Sequence, residues 1–533
     1  MATLIHDVLF QAAQRAPAAP ALSWQGEDIA YATLATSVRD CASALLMLGL
    51  RRAERVAVYL EKRPENVCAM FGAAAAGGVF VPVNPLLKPD QVAYILADCN
   101  VAILVTSRER LAQLGTALAA CPDLRTIVVT GPRQPDETPG GAQVLAWSSV
   151  LAAGAGPAVA PHAVIDADMA AILYTSGSTG RPKGVVLSHR NMVAGALSVA
   201  SYLRNTPQDR ILCVLPLSFD YGLSQLTTAF ASGACAVLMN YLLLRDIIEA
   251  VEQERITGLA AVPPLWIQLS QLSWPLSTPL RYITNSGGVM QRGTLDRLRQ
   301  SLPRTQIFLM YGLTEAFRST YLAPEQLERR PDSIGQAIPN AEVLVLRPDG
   351  SVCDADEPGE LVHRGALVAL GYWNDAARTA ERFKPLPPQA GGLVLPELAV
   401  WSGDTVRRDA DGYLYFVGRS DDMIKTSGYR VSPAEVEEVV YASGLVGEAA
   451  ALGLPHAVLG QAIALLATPA PGQELARETL LAACRARLPA YMVPLWIEVR
   501  AGALPRNPNG KIDRALLARE LARAHALAPG EQP

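Results

Sequence analysis

Residues 174–184 read Tyr-Thr-Ser-Gly-Ser-Thr-Gly-Arg-Pro-Lys-Gly and follow the apolar run Met169-Ala-Ala-Ile-Leu173. A strand feeding a loop of glycines, hydroxyls and one lysine suits a polyanion. Glycines let the backbone approach closely, N–H and O–H groups bind phosphate oxygens, and Lys183 adds a point charge. The loop differs from the Walker type, which places Gly before Lys, because Pro182 stands there.

The chain has six lysines, Lys62, Lys88, Lys183, Lys384, Lys425 and Lys511. Lys183, Lys425 and Lys511 all lie in glycine-containing loops. Chance explains one such placement more easily than all of them. At 533 residues the chain exceeds one ordinary core, so more than one domain is expected. A net charge of −4 gives no electrostatic case for binding nucleic acid or an anionic membrane. The eight cysteines are scattered without a CxxC pair, which disfavours a zinc site or a disulfide framework and favours small buried hydrophobes. The N-terminus lacks a basic start followed by a long apolar core, so the expected compartment is the cytoplasm. The longest apolar stretch, 67–83, contains Gly77-Gly78 and reads as a buried helix running into a strand rather than a membrane span.

Helical periodicity over 31–50 and 64–78 alternates with β runs at 55–59, 79–83, 102–106 and 126–130, the pattern of parallel α/β layers. Residues 132–160 are rich in Gly, Pro and Ala and read as a loop or edge connection. Strands are expected at 210–217, 234–240 and 280–285, with helices at 244–255 and 291–301. From Ala341 the texture becomes β-rich, with hairpin signals at Pro348-Asp-Gly350 and Asp411-Gly412. A compact unit then follows, with helices at 433–441, 474–488 and 514–526 and two strands between the first two helices. Residues 528–533 are expected to be disordered.

Further polar loops recur. Asn285-Ser-Gly-Gly288 follows a strand and would admit a flat ligand against backbone. Tyr311-Gly-Leu-Thr-Glu315 ends another strand. Trp401-Ser-Gly-Asp404 reads as a carboxylate beside a tight turn, suited to ribose hydroxyls. Gly418-Arg-Ser-Asp-Asp-Met-Ile-Lys425 and Asn507-Pro-Asn-Gly-Lys511 complete the series. Singly, each has an ordinary explanation as a turn, a helix start or a solvated hairpin.

In this order, and over nearly the whole chain, they closely resemble the AMP-forming adenylating superfamily of acyl-CoA synthetases, peptide-synthetase adenylation domains and luciferases. The resemblance implies a large N-terminal α/β domain with a β-rich subdomain (1–419), a mobile α+β lid (420–527) and a hinge at Asp421. It implies two half-reactions: a carboxylate and ATP give an acyl-adenylate and pyrophosphate, then a thiol takes the acyl group. Thr175, Ser176, Gly177, Ser178, Thr179, Gly180 and Lys183 match the phosphate loop. Thr314 matches the α-phosphate contact, and Glu315 the carboxylate that holds Mg²⁺, directly or through water. Gly287, Gly288, Tyr311 and Gly312 would border adenine; Asp404 and Arg419 match the ribose and nucleotide contacts. Lys511 matches the lysine that stabilises the adenylation transition state. Lys425, Ser427 and Gly428 match the face that replaces it when the lid turns to shape the thiol tunnel.

For the acid, Phe219, Asp220 and Asn285 are the candidate contacts. Amino-acid adenylating domains usually place Phe-Asp there, the aspartate pairing the substrate ammonium, so an amino acid is expected. The competing reading makes Asp220 a helix cap and the substrate a plain carboxylic acid. The motifs around Tyr311 and Lys511 are similar to those of freestanding prolyl-carrier-protein ligases and of acyl-CoA ligases in exosortase gene clusters. With no carrier segment after Arg514, the acceptor is expected in trans, either CoA or a separate carrier's phosphopantetheine. Three positions depart from the pattern: Ser402 stands where Thr is usual, and His456 and Gln461 occupy usually acidic positions, with His456 read as a surface residue. The histidines form no triad-like group. A non-catalytic nucleotide-binding relative is disfavoured by the joint presence of Lys183, Glu315, Asp404 and Lys511, and nothing requires a luciferase-like oxidase.

Overall fold

The computed structural model describes the chain apart from residues 1, 132–140, 158, 176–181, 276, 388–395, 420–423, 427–428, 457–458, 489, 508–509 and 527–533. Contacts divide it into two compact units. The first takes the chain up to Thr175, then 182–343 and 362–401; the second takes 344–361 and 402 onward.

The first unit holds an 8-stranded sheet in the order Gly371–Tyr372, Lys183–Ser188, Met169–Thr175, Val79–Pro82, Arg55–Tyr59, Val101–Ser107, Thr126–Thr130, Gln143–Ala146. Its pairs from Met169–Thr175 outward to Gln143–Ala146 are parallel, whereas Lys183–Ser188 runs antiparallel to both its neighbours. Val79–Pro82 and Val101–Ser107 are buried throughout, as continuous apolar runs in a sheet covered on both faces must be. The feeding helix Pro64–Ala76 ends at Gly77 in the left-handed conformation, φ +85°, so the 67–83 stretch is a helix running into a strand.

A second sheet in this unit aligns Gln306–Tyr311, Tyr282–Asn285, Gly258–Ala261, Arg210–Cys213, Cys235–Leu238 and Pro20–Trp24, all in parallel. These strands are shorter than their apolar runs suggested. Arg210–Cys213 stops before Pro216, whose ring cannot continue a central ladder. Helices Tyr31–Met47, Leu244–Gln253 and Arg292–Ser301 lie where the periodicity put them. The reading of 132–160 as a connection needs correction. Gln143–Ala146 is an edge strand paired with Thr126–Val129, and Trp147–Gly154 is a helix. The alanines that resemble linker composition are good helix formers.

In the second unit the Pro348-Asp-Gly350 turn closes on Arg347, whose carbonyl accepts from Gly350 N at 2.9 Å. Leu398–Arg408 and Leu414–Arg419 form the expected antiparallel pair around Asp411-Gly412. A 5-stranded sheet includes Ile424–Thr426, Val446–His456, Gly460–Pro469 and Trp496–Val499. Helices Pro433–Tyr441 and Arg477–Arg487 cover one core with Val436, Leu465 and Leu480; Arg514–Ala526 covers another with Leu466, Leu517 and Leu521.

All eight cysteines are buried with free thiols. Burial raises the thiol of Cys121 to about 11 and those of Cys68, Cys99, Cys213 and Cys235 to about 12, and lifts Cys41, Cys353 and Cys484 as well. Among the described residues no helix is long and apolar enough to cross a membrane.

Candidate active site

Met169–Thr175 and Lys183–Ser188 form a hairpin whose register sets Thr175 opposite Lys183. Ser176, Gly177, Ser178, Thr179 and Gly180 lie outside the described residues. Lys183 therefore stands at the root of the loop, where the chain returns to the sheet. Its Nζ lies 2.9 Å from Glu315 Oε1 and 2.9 Å from the Tyr372 hydroxyl. Tyr372 donates to the same Glu315 oxygen at 2.6 Å, and Lys183 also sits 4.3 Å from the centre of the Tyr372 ring. Burial alone would raise the Glu315 carboxyl. The Lys183 charge and the hydrogen bonds from Tyr372 and Lys183 outweigh it, so the group is held below the usual glutamate value. Burial and the Glu315 charge push the Tyr372 hydroxyl well above its usual range, so it remains a donor.

Sequence reasoning missed Tyr372. It lies 189 residues from Lys183 and arrives only because Gly371–Tyr372 adds to the sheet as a strand beside Val185 and Val186. The aromatic pair Tyr372-Trp373 after Gly371 is the signal that could have found it.

The Asn285 and Tyr311 motifs fall at the carboxyl ends of parallel strands, where open α/β sheets bind ligands. Asn285 ends its strand and donates from Nδ2 to Gly288 O at 3.0 Å, closing the Ser-Gly-Gly turn. Gly287 there has φ +82°, a conformation other residues resist. Tyr311 ends the neighbouring strand, and Gly312 follows it. Thr314, Glu315 and Ala316 then make one 3₁₀ turn. Phe317 leaves that turn at φ +54° with its ring buried against Gly195.

Asp220 is the first residue of the helix Asp220–Ser232; the N-cap is Phe219, and no side chain caps the helix. The helix-cap reading is therefore corrected. The Asp220 carboxylate has instead turned to Arg318, whose Nη1 donates to Oδ2 at 2.6 Å and whose Nη2 donates to the Asp220 carbonyl at 3.3 Å. Thr314 Oγ1 lies 3.4 Å from the other carboxylate oxygen. Arg318 was also missed, although it follows Thr-Glu-Ala-Phe directly, because its partner lies 98 residues away.

In the second unit Asp404 is buried within the long strand Leu398–Arg408, not beside a tight turn. Gly403, at φ +70°, provides the bend that suggested one. Ser402, at the position of the expected threonine, donates to Leu361 O at 2.7 Å and accepts from Asp404 N at 3.1 Å. The strand register places Asp404 opposite Arg419, of which only the backbone is described. Lys511 is exposed on a loop closed by Asn507, whose side-chain oxygen accepts from Lys511 N at 3.1 Å and whose N–H donates to Lys511 O at 2.8 Å. Lys425 pairs by backbone with Arg430. The Lys425 side chain, Asp421, Ser427 and Gly428 lie outside the described residues. His456 is half-buried, with its ring 6.1 Å from that of Trp496. His363 meets Ser319 at 3.0 Å, and both are fully buried.

The profile of the AMP-binding enzyme family matches residues 9–373, and that of the AMP-binding enzyme C-terminal domain matches 435–511. The chain belongs to the AMP-binding enzyme family. This AMP-binding enzyme is 30% identical to an L-proline–[L-prolyl-carrier protein] ligase of Pseudomonas fluorescens, over 97% of this chain and 99% of that one. It is 30% identical to an indoleacetate–CoA ligase of Aromatoleum aromaticum, over 93% and 94%. It also matches a linear gramicidin synthase of Brevibacillus parabrevis at 29% identity, with 96% of this chain spanning only 6% of that protein. Among solved structures it resembles the anthranilate CoA ligase AuaEII in complex with anthranoyl-AMP, with TM-score 0.86, 25% identity and 98% of each chain covered. It likewise resembles o-succinylbenzoate coenzyme A synthetase (MenE) from Bacillus subtilis in complex with ATP and magnesium, with TM-score 0.80, 25% identity, and 96% and 98% covered.

A magnesium ion fits the AMP-binding enzyme's residues. Among the described residues no cluster of three or more His, Cys, Asp or Glu could cage a metal. Magnesium asks for less: one or two carboxylates, with phosphate oxygens and waters completing the shell. The ionised Glu315, paired with Lys183, would provide that carboxylate.

Proposed function

We propose that this chain is an AMP-forming acid–thiol ligase. The observation that carries the reading is the Lys183–Tyr372–Glu315 cluster, with Thr314 between it and Asp220. It puts a cation, an ionised carboxylate and a hydroxyl at the root of the loop that would cradle phosphate.

In the first half-reaction a carboxylate oxygen bonds to the α-phosphorus of ATP as the bond to pyrophosphate breaks. Both partners are anionic, so positioning and charge neutralisation supply most of the catalysis. Lys183 meets the phosphates; Tyr372 holds Lys183 and Glu315 in register. Mg²⁺, when bound, would screen the phosphate charge. Thr314 contacts the α-phosphate, Gly287, Gly288, Tyr311 and Gly312 border adenine, and Asp404 and Arg419 hold the ribose and nucleotide. Residues 420–527 act as a lid about Asp421, presenting Lys511 for adenylation and the face of Lys425, Ser427 and Gly428 for thiol attack. The acceptor is CoA or a carrier's phosphopantetheine, and the cytoplasm is the compartment.

Two classes of acid compete. The prolyl-carrier-protein ligase relative and Asp220 favour an amino acid. The indoleacetate–CoA ligase relative and the Arg318 pair favour an acid without an ammonium group.

The test is exchange of labelled pyrophosphate into ATP across a panel of amino, short-chain, aromatic and hydroxy acids. Exchange with one class, reduced at least about a hundredfold in Lys183→Met, is expected. Exchange unaffected by that change would sink the assignment of Lys183.

A further inference from the structure

Arg318 is 2% exposed, and its guanidinium lies 4.8 Å from the centre of the Tyr221 ring. A buried guanidinium needs a carboxylate, and Asp220 is the one it has. The pair is neutral as a unit. An incoming ammonium would add a second cation to a carboxylate already engaged, in surroundings that screen charge poorly.

Behind the pair lies a small cavity of about 20 Å³ whose walls are largely apolar, Leu203, Leu259 and Met310 among them, with polar groups from Gln225, Thr228 and Arg318. Tyr221 and Thr284 satisfy each other across it at 2.6 Å. Three other buried polar atoms of its lining residues, Arg318 Nε, Gln225 Oε1 and Thr228 Oγ1, have no hydrogen-bond partner among the described residues. They amount to a donor, an acceptor and a group that is either. The volume is that of one small polar group rather than an extended chain. A hydroxyl both donates and accepts, carries no charge and fits the set.

We infer that Arg318 determines which acid is activated: it takes the charge of Asp220, and the site accepts a carboxylic acid bearing a neutral hydrogen-bonding group, a hydroxyl, where an amino acid would carry its ammonium. The inference rests on the ligase reading and selects between its two substrate classes. Asp220 then anchors Arg318, whose Nε is left to meet the substrate's hydroxyl.

Non-reacting acyl-sulfamoyladenosines test this by calorimetry without turnover. Three matched compounds serve, with alanyl, lactoyl and propionyl groups, which differ only in carrying an ammonium, a hydroxyl or neither. The wild-type protein is expected to bind the lactoyl compound at least about tenfold more tightly than the alanyl one, a gap of about 1.4 kcal/mol. Arg318→Leu frees Asp220 and should reverse that order. Because it also leaves a buried carboxylate unpaired, the double variant Asp220→Asn/Arg318→Leu is the control, expected to fold and to lose the discrimination. Wild-type preference for the alanyl compound, or an unchanged order in the double variant, would overturn the inference while leaving the ligase reading intact. Failure of all three compounds to bind, together with absence of pyrophosphate exchange, would overturn the ligase reading and the inference with it.

Discussion

Two of the six lysines show how the same side chain takes opposite roles. Lys183 is met by a carboxylate. Lys62 is 8% exposed, and its ammonium donates to a carbonyl, Val214 O, at 3.0 Å. Burial lowers Lys62 to about 8, with the neighbouring Cys213 opposing weakly. The sign follows from linkage. As pH falls from 10.5 the unfolded chain binds the proton first, so folding is penalised increasingly down to about pH 8 and fully below it. The penalty at neutral pH is about 3 kcal/mol. Lys62→Met should therefore raise the melting temperature at pH 7, and its advantage should shrink steadily between pH 8 and 10.5. Parallel thermal scans of both proteins across that range check this; a gap that stayed constant with pH would refute it. The sequence pointed to Lys183 and was silent on Lys62, because a loop motif announces itself locally whereas burial is set by the whole sheet. The same limit hid Tyr372 and Arg318, each brought to its partner from far along the chain.

At the level of elements, the position of Asp220 depends on how closely its helix follows the strand before it. Gly222 is the second residue beyond Asp220, and a β-carbon there would fall 2.0 Å from Pro216 O. That oxygen is backbone and cannot rotate away, so Gly222→Ala must displace the helix start. A loss of about 2–3 kcal/mol is expected, read as a lower denaturation midpoint, together with weaker acid-dependent exchange in whatever fraction folds. A variant as stable as the parent would show that the loop yields more readily than its geometry implies. Helices and parallel strands of the first unit were legible because period and propensity agree there. The strand Gln143–Ala146 and helix Trp147–Gly154 were not, since their alanines and glycines also suit a linker. Asp404 was assigned to a turn for a related reason: Gly-Asp is a turn signal, and only the pairing with Leu414–Arg419 makes it a bent strand.

For the whole molecule, the proposed chemistry separates by half-reaction. Lys511 stands on a loop of the second unit, and the role proposed for it belongs to adenylation alone. Lys511→Ala should abolish pyrophosphate exchange yet leave thioester formation from a supplied acyl-adenylate within about threefold of the parent. Equal loss of both steps would remove the two-faced lid. Following such a lid needs reporters, and here the buried cysteines acquire a use. Their thiols are enclosed and disfavour the thiolate, the form that reacts with maleimides and methanethiosulfonates. The native protein should stay unlabelled at neutral pH with every cysteine retained. A pair of cysteines introduced on the surface, one in each unit, would then carry spin labels or dyes on an otherwise silent background, and interprobe distances with and without nucleotide could be read directly.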